Sequence, residues 1–121
     1  MVIQMRRKLT KAQRHRVYDM TSGHCAYCGY NIEIGEMAID HVEPLALGGA
    51  DEIANMLPAC RSCNHFKSTM TIEKFRKAVE RWPEVLLRDS VTYRNAVRFG
   101  LVNPKPHNVR FFYEYLNLEG R

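Results

Sequence analysis

Four cysteines in two Cys-x-x-Cys pairs, Cys25/Cys28 and Cys60/Cys63, bracket the dipeptide Asp40-His41, and the second pair runs directly into Asn64. A two-residue gap lets both sulfurs of a pair reach one tetrahedral ion about 2.3 Å away, so two such knuckles make a complete thiolate cage for zinc. The chain has no further cysteine, and all four fit one site with none left over. A carboxylate, an imidazole and an amide then remain for separate work. Breaking a phosphodiester needs a nucleophile, shielding of charge on the phosphorane-like transition state, and stabilisation of the departing oxygen; a divalent ion supplies the last two as a Lewis acid. Asp40 and Asn64 offer the hard oxygens that suit Mg²⁺ or Mn²⁺. An imidazole titrates near neutral pH, so His41 in its neutral form can take a proton from water. The difficulty is to bring Asp40 and Asn64 together across 24 residues. A zinc clamp solves it mechanically, because Cys63 anchors the residue immediately before Asn64.

At 121 residues the chain has the size of one domain, with a core modest enough for a structural metal to matter. The stretch Met1–Lys8 has Val2, Ile3 and Met5 as its apolar residues and lacks a secretory hydrophobic region. Nothing later approaches the roughly 20 apolar residues of a membrane span. The expectation is a cytoplasmic protein with no membrane partner, where paired Cys-x-x-Cys motifs favour metal over disulfide. A redox dithiol and structural disulfides are the competing readings of the same cysteines. The net charge of +5 is uneven, with six Lys/Arg against one acid in residues 1–20, two against six in 21–70 and ten against six in 71–121. An acidic centre between basic flanks suits a cation site set in a surface that attracts a polyanion. Solvated helix faces would produce the same flanks.

The elements that must position these groups follow from local signals. Thr10 can cap a helix running to about Met20, stopped by Gly23. Gly29, just past the first knuckle, sits where a backbone turning around a metal often needs positive φ. Met37–Val42 reads as a short strand that delivers Asp40 and His41 at its end, and Pro44 stops it. Leu45–Asp51 is a loop around Gly48-Gly49, and Asn55-Met-Leu can begin a second strand. A helix opens near Asn64. Thr71 caps a further helix with Ile72, Phe75, Val79 and Trp82 on one side, interrupted by Pro83. Another runs from about Val91 to Phe99, with Gly100 as its stop. Val109–Tyr115 alternates as a strand would, although Phe112, Tyr115 and Leu116 could also line a helix. Trp82, Phe75, Phe99 and the aromatic run from Phe111 to Tyr115 read chiefly as core.

The stretch Cys25-x-x-Cys28, Ile39-Asp-His-Val-x-Pro-Leu-x-x-Gly-Gly49, Asn55-Met-Leu-Pro and Cys60-Arg-Ser-Cys-Asn64-x-x-Lys67 resembles the HNH endonuclease family, in its small zinc-containing branch common in phages and bacteria. The resemblance spans roughly residues 23–68. It implies an α+β fold with a ββα-metal, treble-clef-like core around one catalytic divalent ion, flanked by N- and C-terminal helices. On that reading residues 1–121 form a single nuclease domain, with a core at about 23–70 and a helical extension at 71–121. The pattern gives His41 the general base, Asp40 and Asn64 the catalytic metal, and Asn55 the task of fixing the loop and orienting the base. The closed zinc site falls to Cys25, Cys28, Cys60 and Cys63. The family's name implies a final histidine where this chain has Asn64. His65, one step on, is a backup ligand, although one residue turns a side chain by about 100° on a helix.

Arg61 and Lys67 flank the site and could hold substrate phosphates as charge-assisted partners. His15, His24 and His107 lack a partner at metal-ligand spacing and read as surface residues. The expected function is metal-dependent hydrolysis of DNA by His41-activated water, leaving 5′-phosphate and 3′-hydroxyl ends by the family pattern. The alternative is a zinc-finger-like module that binds nucleic acid without cutting. It accounts for the cysteines and the charge but gives no reason for Asp40, His41 and Asn64 together.

Overall fold

The computed structural model describes residues 8–118 and 121, so the basic Arg6-Arg7 pair lies outside the described residues. The chain divides into two compact units, Met1–Ile72 with Phe111–Arg121, and Glu73–Arg110.

The first unit opens with α1, Lys11–Asp19, over the span Thr10 leads one to expect. Thr10 Oγ1 accepts the Gln13 N–H at 3.1 Å while Gln13 Oε1 accepts the Thr10 N–H at 2.9 Å, so two donors that a helix start leaves orphaned are satisfied reciprocally. Val17 is fully buried, and the Arg14 guanidinium donates to the Ile34 and Met37 carbonyls at 3.2 Å each. That arginine ties α1 to the turn Ile34–Glu36, which feeds the first strand.

Strand β1, Ala38–His41, pairs antiparallel with β2, Met56–Ala59, placing Asp40 opposite Leu57 and His41 opposite Met56. Pro58 has no N–H to give, which is tolerated because this sheet has two strands and β2 is therefore an edge. Its carbonyl accepts the Ala26 N–H at 2.8 Å and so ties the first knuckle to the hairpin. Helix α2, Arg61–Lys67, follows β2 directly. It begins earlier than the opening near Asn64 read from the sequence, because Cys60 acts as N-cap and its Sγ accepts the Cys63 N–H at 3.4 Å. A cysteine sulfur here does what a serine oxygen usually does. The result is the expected α+β arrangement, a ββα core preceded by α1 and followed in sequence by further helices.

Between the strands, the loop doubles back tightly. Gly48 takes φ +94°, and a Cβ on Gly49 would stand 1.9 Å from the Glu43 carbonyl oxygen. Gly29 has the positive φ its place after Cys28 suggested, +78°. The closing segment differs from the strand expected at Val109–Tyr115. Glu114 Oε1 accepts the Phe111 N–H at 2.8 Å and curls the chain into a 3₁₀ turn, Phe112–Tyr115. The alternation has another cause: the Phe112 and Tyr113 N–H groups donate to the carbonyls of Tyr27 and Ala26, which turns Phe111 and Tyr113 inward.

The second unit holds the rest of α3 (Ile72–Glu80), α4 (Trp82–Asp89) and α5 (Val91–Arg98). Pro83 does not merely interrupt a helix. It sits in the first turn of α4, where its missing N–H would have had no helical partner. Ser90 ends α4 and caps α5, its Oγ accepting the Tyr93 N–H at 3.1 Å. Arg94 on α5 donates to the Leu87 and Arg88 carbonyls at 2.9 and 2.8 Å, satisfying the open end of α4. Phe75 is buried, but Phe99 is 82 % exposed and belongs to no core. Among the described residues, no helix is long and apolar enough to cross a membrane.

The two loop glycines separate two kinds of constraint. Gly48→Ala meets open space and should cost about 1–2 kcal/mol for its left-handed backbone. Gly49→Ala collides with backbone and should cost more, about 3 kcal/mol or above, near the upper end for overpacked sites. Denaturant unfolding of both variants gives the ranking.

Candidate active site

The hairpin brings the two knuckles together. The ligand atoms of Cys25, Cys28, Cys60 and Cys63 all lie within 4.8 Å of one another. A tetrahedron with metal–sulfur bonds of about 2.3 Å has sulfur–sulfur edges of about 3.8 Å, and the Cys28–Cys60 separation is 3.9 Å. The four residues can therefore hold a metal ion with little movement. Their electrostatics agree with that chemistry. A hydrogen bond from Cys63 holds the Cys25 thiol down to about 4, against burial. Burial pushes Cys28 up to about 11, and the hydrogen bond to Cys25 followed by burial drives Cys63 well above the thiol range. Crowded thiols of this kind share little negative charge until a cation compensates it. Among the described residues this is the one group of three or more His, Cys, Asp or Glu placed to hold an ion. His24 supports the first knuckle rather than lying free on the surface. Its Nδ1–H donates to the Gly29 carbonyl at 2.9 Å, and its ring meets Phe112 at a centroid distance of 5.0 Å.

Asp40 is buried at the end of β1, and its partners were not legible from spacing. Lys67 Nζ lies 3.0 Å from Oδ2 and 3.4 Å from Oδ1, and donates to the His41 carbonyl at 3.0 Å. The Tyr27 hydroxyl donates to Oδ2 as well. Burial pushes the Asp40 carboxyl above its ordinary range, against the pull of Lys67 and Tyr27. Burial and the Asp40 charge drive the Tyr27 phenol up, so it stays protonated and remains a donor. The Tyr27 ring is fixed edge-on by Phe111 at 5.1 Å and Tyr113 at 6.0 Å, which gives the closing segment a part in aiming its hydroxyl. Lys67 is fully buried. The expectation that it holds a substrate phosphate is corrected: an ammonium with no exposed surface, engaged by a carboxylate and a carbonyl, cannot meet DNA at this site.

Asp40, His41 and Asn64 line one open pocket of about 270 Å³, together with Ile39, Pro44, Leu45, Ala46, Ser68 and Thr69. The three groups singled out from the sequence thus face a common space. A carboxylate has about four lone-pair sites, so Asp40 keeps acceptor capacity beyond Tyr27 and Lys67. With the Asn64 amide it fits a divalent ion that prefers oxygen. His65 is exposed and is not among the lining residues, as a one-residue rotation along α2 requires. Arg61 is exposed in the first turn of α2. Asn55 does not line the pocket but staples its loop. Nδ2 donates to the Glu43 and Ala50 carbonyls at 2.9 and 2.8 Å, and Oδ1 accepts the Glu43 N–H at 2.9 Å. His41 Nε2 meets Asp51 Oδ1 at 2.9 Å, a partner that no motif signals.

Comparison with known proteins bears on the same stretch. The family described as HNH endonuclease matches residues 25–69. A Bacillus subtilis (strain 168) protein named "SPbeta prophage-derived putative HNH endonuclease YoqL" is 31% identical over 75 residues, covering 55% of this chain and 33% of that protein. This chain therefore spans about a third of that relative's length. A crystal structure of the Type II-C Cas9 enzyme from Actinomyces naeslundii matches with a TM-score of 0.52 and 22% identity, over 60% of this chain and 8% of that one. At that identity the likeness is one of fold.

The buried ion pair can be tested by stability. Lys67→Met strands an ionised carboxylate and should cost about 3–5 kcal/mol. Adding Asp40→Asn, which leaves Tyr27 an acceptor, should recover much of that loss in urea unfolding of the metal-loaded protein.

Proposed function

With residues 25–69 matching the HNH endonuclease family, we propose that this protein is a metal-dependent DNA endonuclease of that family acting through His41. The observation that supports this most is the convergence of Asp40, His41 and Asn64 on one open pocket in a fold that also gathers four cysteines into one cluster. His41 takes a proton from water, and the resulting hydroxide attacks phosphorus in line with the departing 3′ oxygen. Asp40 and Asn64 hold a Mg²⁺ or Mn²⁺ ion, which when bound supplies Lewis-acid stabilisation of the transition state and the leaving oxygen. Asn55 keeps the loop in place behind the base. Cys25, Cys28, Cys60 and Cys63 bind zinc as a closed structural site.

Arg61, exposed in the first turn of α2, contacts a phosphate. The exposed basic residues of the second unit, such as Lys77, Arg81 and Arg98, grip the DNA backbone on this reading. The whole is read as one nuclease domain with a core at about 23–70. A phage setting and a cytoplasmic location accord with this reading. A second reading, a zinc module that binds nucleic acid without cutting, draws on the engagement of Asp40 by Lys67 and Tyr27. It requires that this carboxylate never accept a divalent ion.

A supercoiled plasmid incubated with Mg²⁺ or Mn²⁺ decides between them. The protein should nick it, and His41→Ala should be about 100- to 10,000-fold slower, the usual contribution of a general base. An intact plasmid across several divalent ions, with DNA binding retained, favours the binding module. Elemental analysis should give one zinc per chain. Stripping it with a chelator should unfold the first unit rather than merely slow cleavage, since a structural zinc site contributes folding free energy directly.

A further inference from the structure

The nuclease reading assigns no role to Asp51, yet its carboxylate meets the imidazole of the proposed base directly. His41 Nε2 and Asp51 Oδ1 are 2.9 Å apart, with side-chain exposures of 8 % and 10 %. His41 ends β1 and faces the pocket, whereas Asp51 lies in the loop beyond Gly49 and is not among the pocket's lining residues. The carboxylate that meets the ring thus comes from a residue outside the pocket lining. An ionised carboxylate only accepts, so this contact requires the proton on Nε2. A neutral imidazole with Nε2–H has its lone pair on Nδ1. The nitrogen free to receive a proton is then fixed by a group that never touches substrate.

The position of Asp51 is itself built. Asn55 Nδ2 holds the carbonyl of Ala50, the residue directly before Asp51, and the same amide holds both backbone groups of Glu43. Gly49 allows the loop to pass against the Glu43 carbonyl, where a Cβ would stand 1.9 Å away. The path runs from Asn55 through the loop backbone to Asp51, and from Asp51 to the ring of His41.

Resting on the nuclease reading, we propose that Asp51 is a positioning residue for His41, holding the Nε2–H tautomer and the ring orientation so that Nδ1 takes the proton from the attacking water. In that step the water O–H bond breaks, the proton goes to Nδ1, and the oxygen's electron pair forms the new bond to phosphorus while the bond from phosphorus to the 3′ oxygen breaks and its electron pair leaves with that oxygen. Groups that orient a reacting side chain in this way are typically worth about 10- to 100-fold.

Plasmid nicking in Mn²⁺ would be measured for wild type, Asp51→Ala, His41→Ala and the double variant, with zinc content and thermal unfolding alongside. The expected result is a kcat about 10- to 100-fold lower in Asp51→Ala with KM and zinc content unchanged, and a double variant no slower than His41→Ala alone. Wild-type kcat in Asp51→Ala overturns the proposal, as does a loss that multiplies with that of His41→Ala. If His41→Ala itself cuts like wild type, the nuclease reading fails instead. Should Asp51→Ala not fold, long-range ¹H–¹⁵N NMR of the zinc-loaded wild type reads the tautomer directly. Protonation of His41 at Nε2 supports the assignment, and protonation at Nδ1 overturns it.

Discussion

A buried ammonium organises the site. Lys67 has no exposed surface, and an unpaired charge at such depth would be prohibitively costly, so its geometry is set by the groups that compensate it. Those groups are the Asp40 carboxylate and the His41 carbonyl, both at the end of β1. The contact therefore locks one face of α2 against the strand. Residues three apart on a helix share a face, so Asn64 is carried to the same side as Lys67 and lines the pocket, while His65 is turned to solvent. The orientation of the amide is a consequence of where the lysine must point.

The cysteine cluster fixes the other end of the same helix. Cys60 is both a candidate metal ligand and the N-cap of α2, and Cys63 lies one turn in. Metal binding and helix initiation are thus written on the same residues. The first knuckle reaches the cluster through the Ala26–Pro58 hydrogen bond and reaches Asp40 through the Tyr27 hydroxyl. The closing segment packs on Tyr27 from behind, with Phe111 and Tyr113 buried. Residues far apart in sequence thus support a single carboxylate.

Much of this was legible because local chemistry dictates it. Ligand geometry sets the Cys-x-x-Cys spacing, Thr10 caps α1, and Gly100 follows the end of α5 with the positive φ a glycine permits. What spacing could not show is tertiary. Lys67 looked like a surface cation because a lysine is almost never fully buried unless paired, and only the packing of α2 on β1 buries it. Asp51 looked like an ordinary loop acid, since nothing local marks it as the partner of a histidine ten positions earlier. The aromatic run after Val109 alternates, and alternation alone does not distinguish a strand from an extended entry into a 3₁₀ turn. Pro83 was read as a stop although a proline serves equally well as a start.

The bonds made by Asn55 go to backbone atoms alone, the carbonyls of Glu43 and Ala50 and the amide of Glu43. The loop's course is therefore specified by one asparagine and a pair of glycines, independently of the identity of its outward side chains. Glu43, Ala46, Leu47 and Ala50 are all exposed, and Ala46 stands on the rim of the cavity. Outward side chains thus stand next to the cavity that Asp40, His41 and Asn64 line, on a backbone whose course is held by other groups. Exchanging those side chains would reshape the mouth of the cavity without removing any of the bonds by which Asn55 holds the loop.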